Sequence, residues 1–115
     1  MKLEKKPFGN IYKETRVEMW PGFERVTVAY NDKLMFCYFF IKKGALLKPH
    51  QHEAIQSGII IKGKVCFHKD DGDHYLEAGD AYVFDSMENH SLDALEDTEI
   101  AECFNPAREE FKLNL

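Results

Sequence analysis

No stretch of this chain repeats apolar residues at helical spacing for long. Turn residues instead cut it into short runs of β type, and this punctuation limits the possible folds more than any other feature. "RVEMW" stops at Pro21-Gly22, and "ERVTVAY" stops at Asn31-Asp32. "KLMFCYFFIKK" runs to Gly44, and "GIIIKGKVCFHK" runs to the "DDGD" turn. Asp71-Gly72 is the strongest hairpin signal in the sequence. "HYLEA", "AYVFD", "HSLDAL" and "TEIAECF" follow, separated by Gly79-Asp80, "SMEN" and Glu96-Asp97. Pro106 ends the last run, because it has no N–H to give a ladder. "PAREEF" has room for one helical turn at most. The expected fold class is all-β, a sandwich or barrel. With 115 residues, one domain over residues 1–115 is expected.

Side-chain alternation sharpens this. In "MFCYFFI", Phe36, Tyr38 and Phe40 share one face, and Cys37, Phe39 and Ile41 share the other. A half-solvated antiparallel strand is polar on one side. Here both sides are apolar, so both are expected to be covered. One would line the barrel, and the other would lie under the N-terminal segment or against a second copy. A homodimer is the expectation.

Charge and hydropathy remove other classes. The net charge of −5, without a basic block, argues against nucleic acid as a partner. "LMFCYFFI" is too short for a helix that spans a bilayer. "MKLEKKPFGN" lacks the apolar core of a secretory signal, so the expected location is cytoplasmic. Cys37, Cys66 and Cys103 show no CxxC spacing and are read as small buried hydrophobes without disulfides.

The chemistry concentrates in "KPHQHEAIQSG". On one strand, His50, His52, Ala54 and Gln56 would project in the same direction. Two imidazoles and an amide oxygen could then converge on a metal ion, with a further ligand from another strand. His90, which opens a strand after a loop, is the candidate. His68 and His74 flank a solvent-facing hairpin and are set aside as ligands. Glu53 points away from His52 and is read as a surface residue. Near the C-terminus, Glu102 shares a face with Ile100 and Phe104, and an acid on an apolar face is unusual unless used or paired. Arg108 or a substrate is the expected partner. A solvated strand-end Glu beside a surface Arg is the alternative.

The spacing of these residues resembles the cupin superfamily. "GALLKPHQHEAIQSGIIIKG" follows its first motif, G-x5-H-x-H-x3,4-E-x6-G, with Gln56 in place of Glu. "GDAYVFDSMENHSLDA" keeps Gly79 and His90 of the second motif, while Asp85, Met87 and Ala94 replace Pro, Gly and Asn. The resemblance implies a double-stranded β-helix, or jelly-roll barrel, holding a metal on His50, His52, Gln56 and His90. Neutral Gln56 would leave a divalent ion with a charge near +2, which favours an anionic ligand. Ni, Zn, Mn and Fe all suit the donor set.

Longer stretches, "GFERVTVAYNDKLMFCYFFIKKGALLKPHQHEAIQ" and "ECFNPAREEF", look like the KdgF family of small cupins. Its members show "YND-LM", "KGA" before the histidines, a Gln ligand, and a terminal D-x-F-x-P-x-R-E-D-F/Y. Glu53 and Ile59 stand where that family often has Pro and an aromatic residue. The resemblance implies an enzyme of the sugar-ketonising isomerase type, acting on 4,5-unsaturated uronates from pectin or alginate. Carried over by position, Glu102 is the acid/base in place of the family's Asp, Phe104 walls the sugar, and Arg108 binds its carboxylate. Two other readings stay open. One is a metal-dependent dioxygenase, although Gln56 removes the carboxylate such enzymes commonly use as base. The other is a cupin that binds a small molecule without turnover.

Overall fold

The computed structural model describes residues 5–113 and contains ten strands and one short helix. The strands are β1 (Arg16–Trp20), β2 (Phe23–Tyr30), β3 (Met35–Ile41), β4 (Leu46–His50) and β5 (Ile55–Lys62). They continue with β6 (Lys64–Lys69), β7 (Gly72–Glu77), β8 (Ala81–Phe84), β9 (His90–Ala94) and β10 (Thr98–Asn105). The helix, α1, is Glu109–Lys112, the single turn that Pro106 and the short "AREEF" tail permit. Two antiparallel sheets pack face to face, one in the order β1-β2-β3-β10-β5-β8 and the other β4-β9-β6-β7. The fold is all-β, as the turn pattern predicts, and is the jelly roll that the cupin resemblance implies.

Most turns stand where the local chemistry put them. The run "GIIIKGKVCFHK" is two strands, because Gly63 adopts φ 94° and turns the chain from one sheet to the other. A side chain there would also collide, since a Cβ would sit 2.4 Å from the Asp97 carbonyl oxygen.

Alternation places Met35, Cys37, Phe39 and Ile41 of β3 in the core, with Phe67, Phe84, Leu92, Ile100 and Phe104 from other strands. The opposite face of β3 is only partly covered. Tyr38 is buried and its hydroxyl donates to Glu99 Oε1 at 2.9 Å, and the Arg16 guanidinium lies 3.6 Å over the Phe40 ring. Phe36 remains 55% exposed. The expected cover from the N-terminal side is present in part: Arg16 lies over Phe40, and Lys5 and Pro7 line a depression with Phe36. The described part of that segment also runs beside β2, with Lys6 bridged to Tyr30 and Gly9 pressed against the Val28 carbonyl. Cys37 and Cys66 are buried, Cys103 is half-buried, and all three are free.

A candidate metal centre and the carboxyl beside it

The candidate ligands come from both sheets. His50 ends β4 and pairs with His90, which opens β9. Residues 51–54 then cross between the sheets, and Gln56 stands on β5. The single strand expected over His50–Gln56 is therefore corrected: a sheet-to-sheet corner interrupts it, and His52 lies in that corner. The corner is held by the Met87 N–H, which donates to the His52 carbonyl at 2.7 Å. Met87 makes this contact with φ 63°, a left-handed conformation unfavourable for a side-chain-bearing residue. It occupies the position at which the sequence motif expects Gly. Met87→Gly is thus expected to stabilise the protein, by up to about 1 kcal/mol, after the extra freedom of an unfolded glycine offsets part of the relief. A urea unfolding curve compared with wild type measures it.

The corner brings three imidazoles together. The candidate ligand atoms of His50, His52 and His90 lie within 4.8 Å of one another, and the His50 and His90 ring centroids are 4.2 Å apart. In each ring the outer nitrogen is committed to the backbone. His50 Nδ1–H donates to the Lys48 carbonyl at 3.1 Å, His52 Nδ1–H to Ala54 at 2.7 Å, and His90 Nδ1–H to Glu88 at 2.9 Å. Those bonds fix the tautomer that presents Nε2 as a lone pair. Burial lowers the pKa of all three, that of His90 to about 4, which keeps the rings neutral.

Two features of this arrangement ask for a cation. His90 Nε2 is buried and has no hydrogen-bond partner among the described residues. His52 Nε2, an acceptor in this tautomer, faces Gln56 Oε1, another acceptor, at 2.9 Å. The Gln56 amide cannot turn to relieve this, because its Nε2 donates to Glu102 Oε2. An ion bound by the inward atoms of His50, His52, Gln56 and His90 would satisfy both features, so the residues fit a divalent metal.

Glu102 stands in the middle of β10, between Ile100 and Phe104 on the core-facing side. It is 6% exposed and accepts hydrogen bonds on Oε2 from Gln56 and from the Tyr82 hydroxyl. Gly58 makes this meeting possible. It pairs with Tyr82 on β8 and with Glu102 on β10, so the three form one row across the sheet. A Cβ on Gly58 would lie 2.4 Å from the Tyr82 hydroxyl. Burial pushes the Glu102 carboxyl up to about 7, against the opposing pull of Tyr82, Gln56 and the charge of Arg108. Burial and the charge of Glu102 hold the Tyr82 phenol well above its ordinary range.

Of the two partners expected for Glu102, Arg108 or a substrate, Arg108 does not hydrogen-bond it. Its Nε–H donates to Glu110 at 2.9 Å, and its guanidinium lies 4.1 Å over Phe111 and 5.3 Å over Phe104. The residues nonetheless share one cavity, lined by His50, Gln56, Glu102, Phe104, Arg108 and Phe111 among others. Phe104 is 1% exposed, and its ring centroid is 6.0 Å from that of His52. Glu53 is exposed, as expected.

Tyr82 escaped the sequence reading. The alternation of "AYVFD" turns Tyr82 and Phe84 inward, but nothing local links Tyr82 to an acid twenty residues later. Arg25 was also missed as a core residue. It is fully buried on the inner face of β2, 4.0 Å over the Phe111 ring, with its Nε–H donating to Thr27 at 3.2 Å.

Residues 37–105 match the family model described as the cupin domain. The chain is 28% identical over 96 residues to the pectin degradation protein KdgF of Dickeya dadantii, covering 82% of this chain and 87% of that one. It superposes on KdgF from Halomonas sp. with a TM-score of 0.84 and 29% identity, over 90% of this chain and 98% of the other. An RmlC-like cupin from Shewanella frigidimarina shares the fold with a TM-score of 0.88 and 23% identity, covering 95% of this chain and 99% of that one. With its two sheets, its histidine cluster and these matches, the chain belongs to the cupin family and is a KdgF-like member of it.

Proposed function

We propose that this protein is a metal-dependent enzyme that converts a 4,5-unsaturated uronate monosaccharide, of the kind released from pectin or alginate, to its linear keto form. The observation that carries the reading is the buried Glu102 carboxyl, bonded to Gln56 at the edge of the three-histidine cluster. The name of the Dickeya relative, a pectin degradation protein, agrees with it.

The substrate is an enol ether closed on itself as a hemiacetal. Opening the ring moves a proton from the anomeric hydroxyl, and ketonisation delivers a proton to C4. Glu102 moves the proton, and its carboxyl, raised to about 7, supports this because it can carry either form near neutrality. Both of its hydrogen bonds fall on Oε2, which leaves Oε1 for the substrate. Tyr82 and Gln56 position the carboxyl. Arg108 gives one N–H to Glu110 and keeps further donors in its planar fork for the sugar carboxylate. Phe104 forms an apolar wall of the cavity. A divalent ion, when bound, supplies Lewis-acid polarisation of substrate oxygens, and Ni, Zn, Mn and Fe are all compatible with the donors.

The test is direct. Metal-loaded protein is mixed with unsaturated galacturonate, and loss of the ring double bond is followed by absorbance. The reading predicts a rate well above the spontaneous one and proportional to protein concentration. A rate equal to the spontaneous one would sink it.

This reading includes a cytoplasmic location and a homodimer. Phe36, Ile59, Ile61 and Val83 lie on the outer face of the six-stranded sheet and are 41–68% exposed. In a two-fold dimer this patch would meet its own copy and be covered. Analytical ultracentrifugation is expected to show a dimer for wild type and a monomer for the Ile59→Glu variant. A wild-type monomer would remove the dimer from the account.

A further inference from the structure

A second cluster of metal-type donors lies on the opposite side of the barrel wall. Val65 and Phe67 of β6 fill the core, so Cys66 and His68 face outward from the four-stranded sheet. Strand register sets Asp73 of β7 opposite His68, and Asp93 of β9 opposite Cys66. His68 Nδ1 lies 2.6 Å from Asp73 Oδ1, and His68 Nε2 lies 3.0 Å from Asp93 Oδ2. Cys66 Sγ is 3.9 Å from His68 Nδ1. The donor atoms of Cys66, His68 and Asp73 all fall within 4.8 Å of one another.

We propose that Cys66, His68 and Asp73 form an accessory site for a zinc-class divalent transition ion, with Asp93 orienting the His68 ring.

A thiolate, an imidazole and a carboxylate are the donor types that zinc takes. Bonds of roughly 2.0–2.3 Å place neighbouring donors of a tetrahedral ion about 3.3–3.6 Å apart. The sulfur–nitrogen separation is already close to this. The Asp73 carboxylate has to draw back from Nδ1 by somewhat under about 1 Å. It is free to do so, because it stands on a hairpin with 55% of its side chain exposed. The ion replaces the proton between Nδ1 and Asp73 and the proton on Cys66 Sγ, and both protons pass to solvent. The hydrogen bond from Nε2–H to Asp93 stays in place, which gives the carboxylate–histidine–metal relay that fixes a ligating ring. Three protein ligands leave one position of a four-coordinate ion open to solvent. The thiolate and the two carboxylates outweigh the charge of the ion, so no uncompensated cation is created.

Cobalt(II) titration of the full-length protein separates this site from the histidine cluster. A thiolate ligand gives cobalt a near-ultraviolet charge-transfer band, and His50, His52, Gln56 and His90 offer no sulfur. In His90→Ala, which removes the competing histidine cluster, the band is expected to saturate at one cobalt per chain and to be displaced by zinc. It is expected to persist in His90→Ala and in Cys103→Ser, and to vanish in Cys66→Ser. Asp93→Asn is expected to weaken binding roughly 10- to 100-fold, as loss of an orienting carboxylate does. Asp73→Asn, at an exposed position, keeps the test open if the Cys66 variant does not fold. Absence of the band in wild type, its survival in Cys66→Ser, or unchanged affinity in both aspartate variants would overturn the proposal.

Discussion

Replacing Glu102 with glutamine is expected to lower kcat on unsaturated galacturonate by roughly 10²- to 10⁴-fold, the range a positioned general acid–base group contributes. KM is expected to change little, because the proton is moved in the transition state and not on binding. The amide keeps the size of the side chain, and its oxygen still accepts hydrogen bonds from Tyr82 and Gln56, so the fold is retained. The contrast with Arg108→Ala is informative. Losing the carboxylate clamp is expected to raise KM more than it lowers kcat. A Glu102→Gln variant with wild-type kcat would move the proton transfer to another group.

The second large effect concerns His90. This residue is 1% exposed, and its Nε2 has no partner among the described residues. An ion bound by the folded protein stabilises it by mass action, by about 2.7 kcal/mol at a free concentration one hundred times Kd. For a domain near this size, that corresponds to a rise in Tm of about 10 °C. In a Cys66→Ser background, which removes the accessory site, the His90→Ala variant is expected to lose most of this increment and to retain little ketonising activity. Differential scanning calorimetry, with and without added metal, reads the first effect. An equal increment in both proteins would show that the stabilising ion sits elsewhere.

The strands were legible in the sequence wherever turn chemistry was local. Pro21-Gly22, Asn31-Asp32, Asp71-Gly72 and Gly79-Asp80 all fall between strands or at a strand's first residue. The inward set of β10, with Glu102 between Ile100 and Phe104, followed from period-two alternation alone. Alternation failed where the chain changes sheets. His50, His52 and Gln56 converge because a corner at residues 51–54 turns them together, and no two-residue period encodes such a corner. Alternation on one strand named the same residues, but the structure brings them together by the corner and not by a shared strand face. Pairwise contacts were the least legible part. The Glu102–Tyr82 bond depends on β5 separating β8 from β10, and on Gly58 carrying no side chain between them. The pairing of Arg108 with Glu110 depends on the turn of α1, where residues close in sequence compete with Glu102 for the guanidinium.

A proton moved by Glu102 inside the cavity reaches C4 from one side, and ketonisation in deuterium oxide, with the product read by NMR, reveals that side. Spontaneous protonation at C4 occurs from both faces and places deuterium at both positions of the new methylene. With the metal-loaded protein, one deuterium at C4 on a single face is expected, with loss of that selectivity in Glu102→Gln. Equal labelling of both faces by the wild-type protein, at a rate above the spontaneous one, would contradict it.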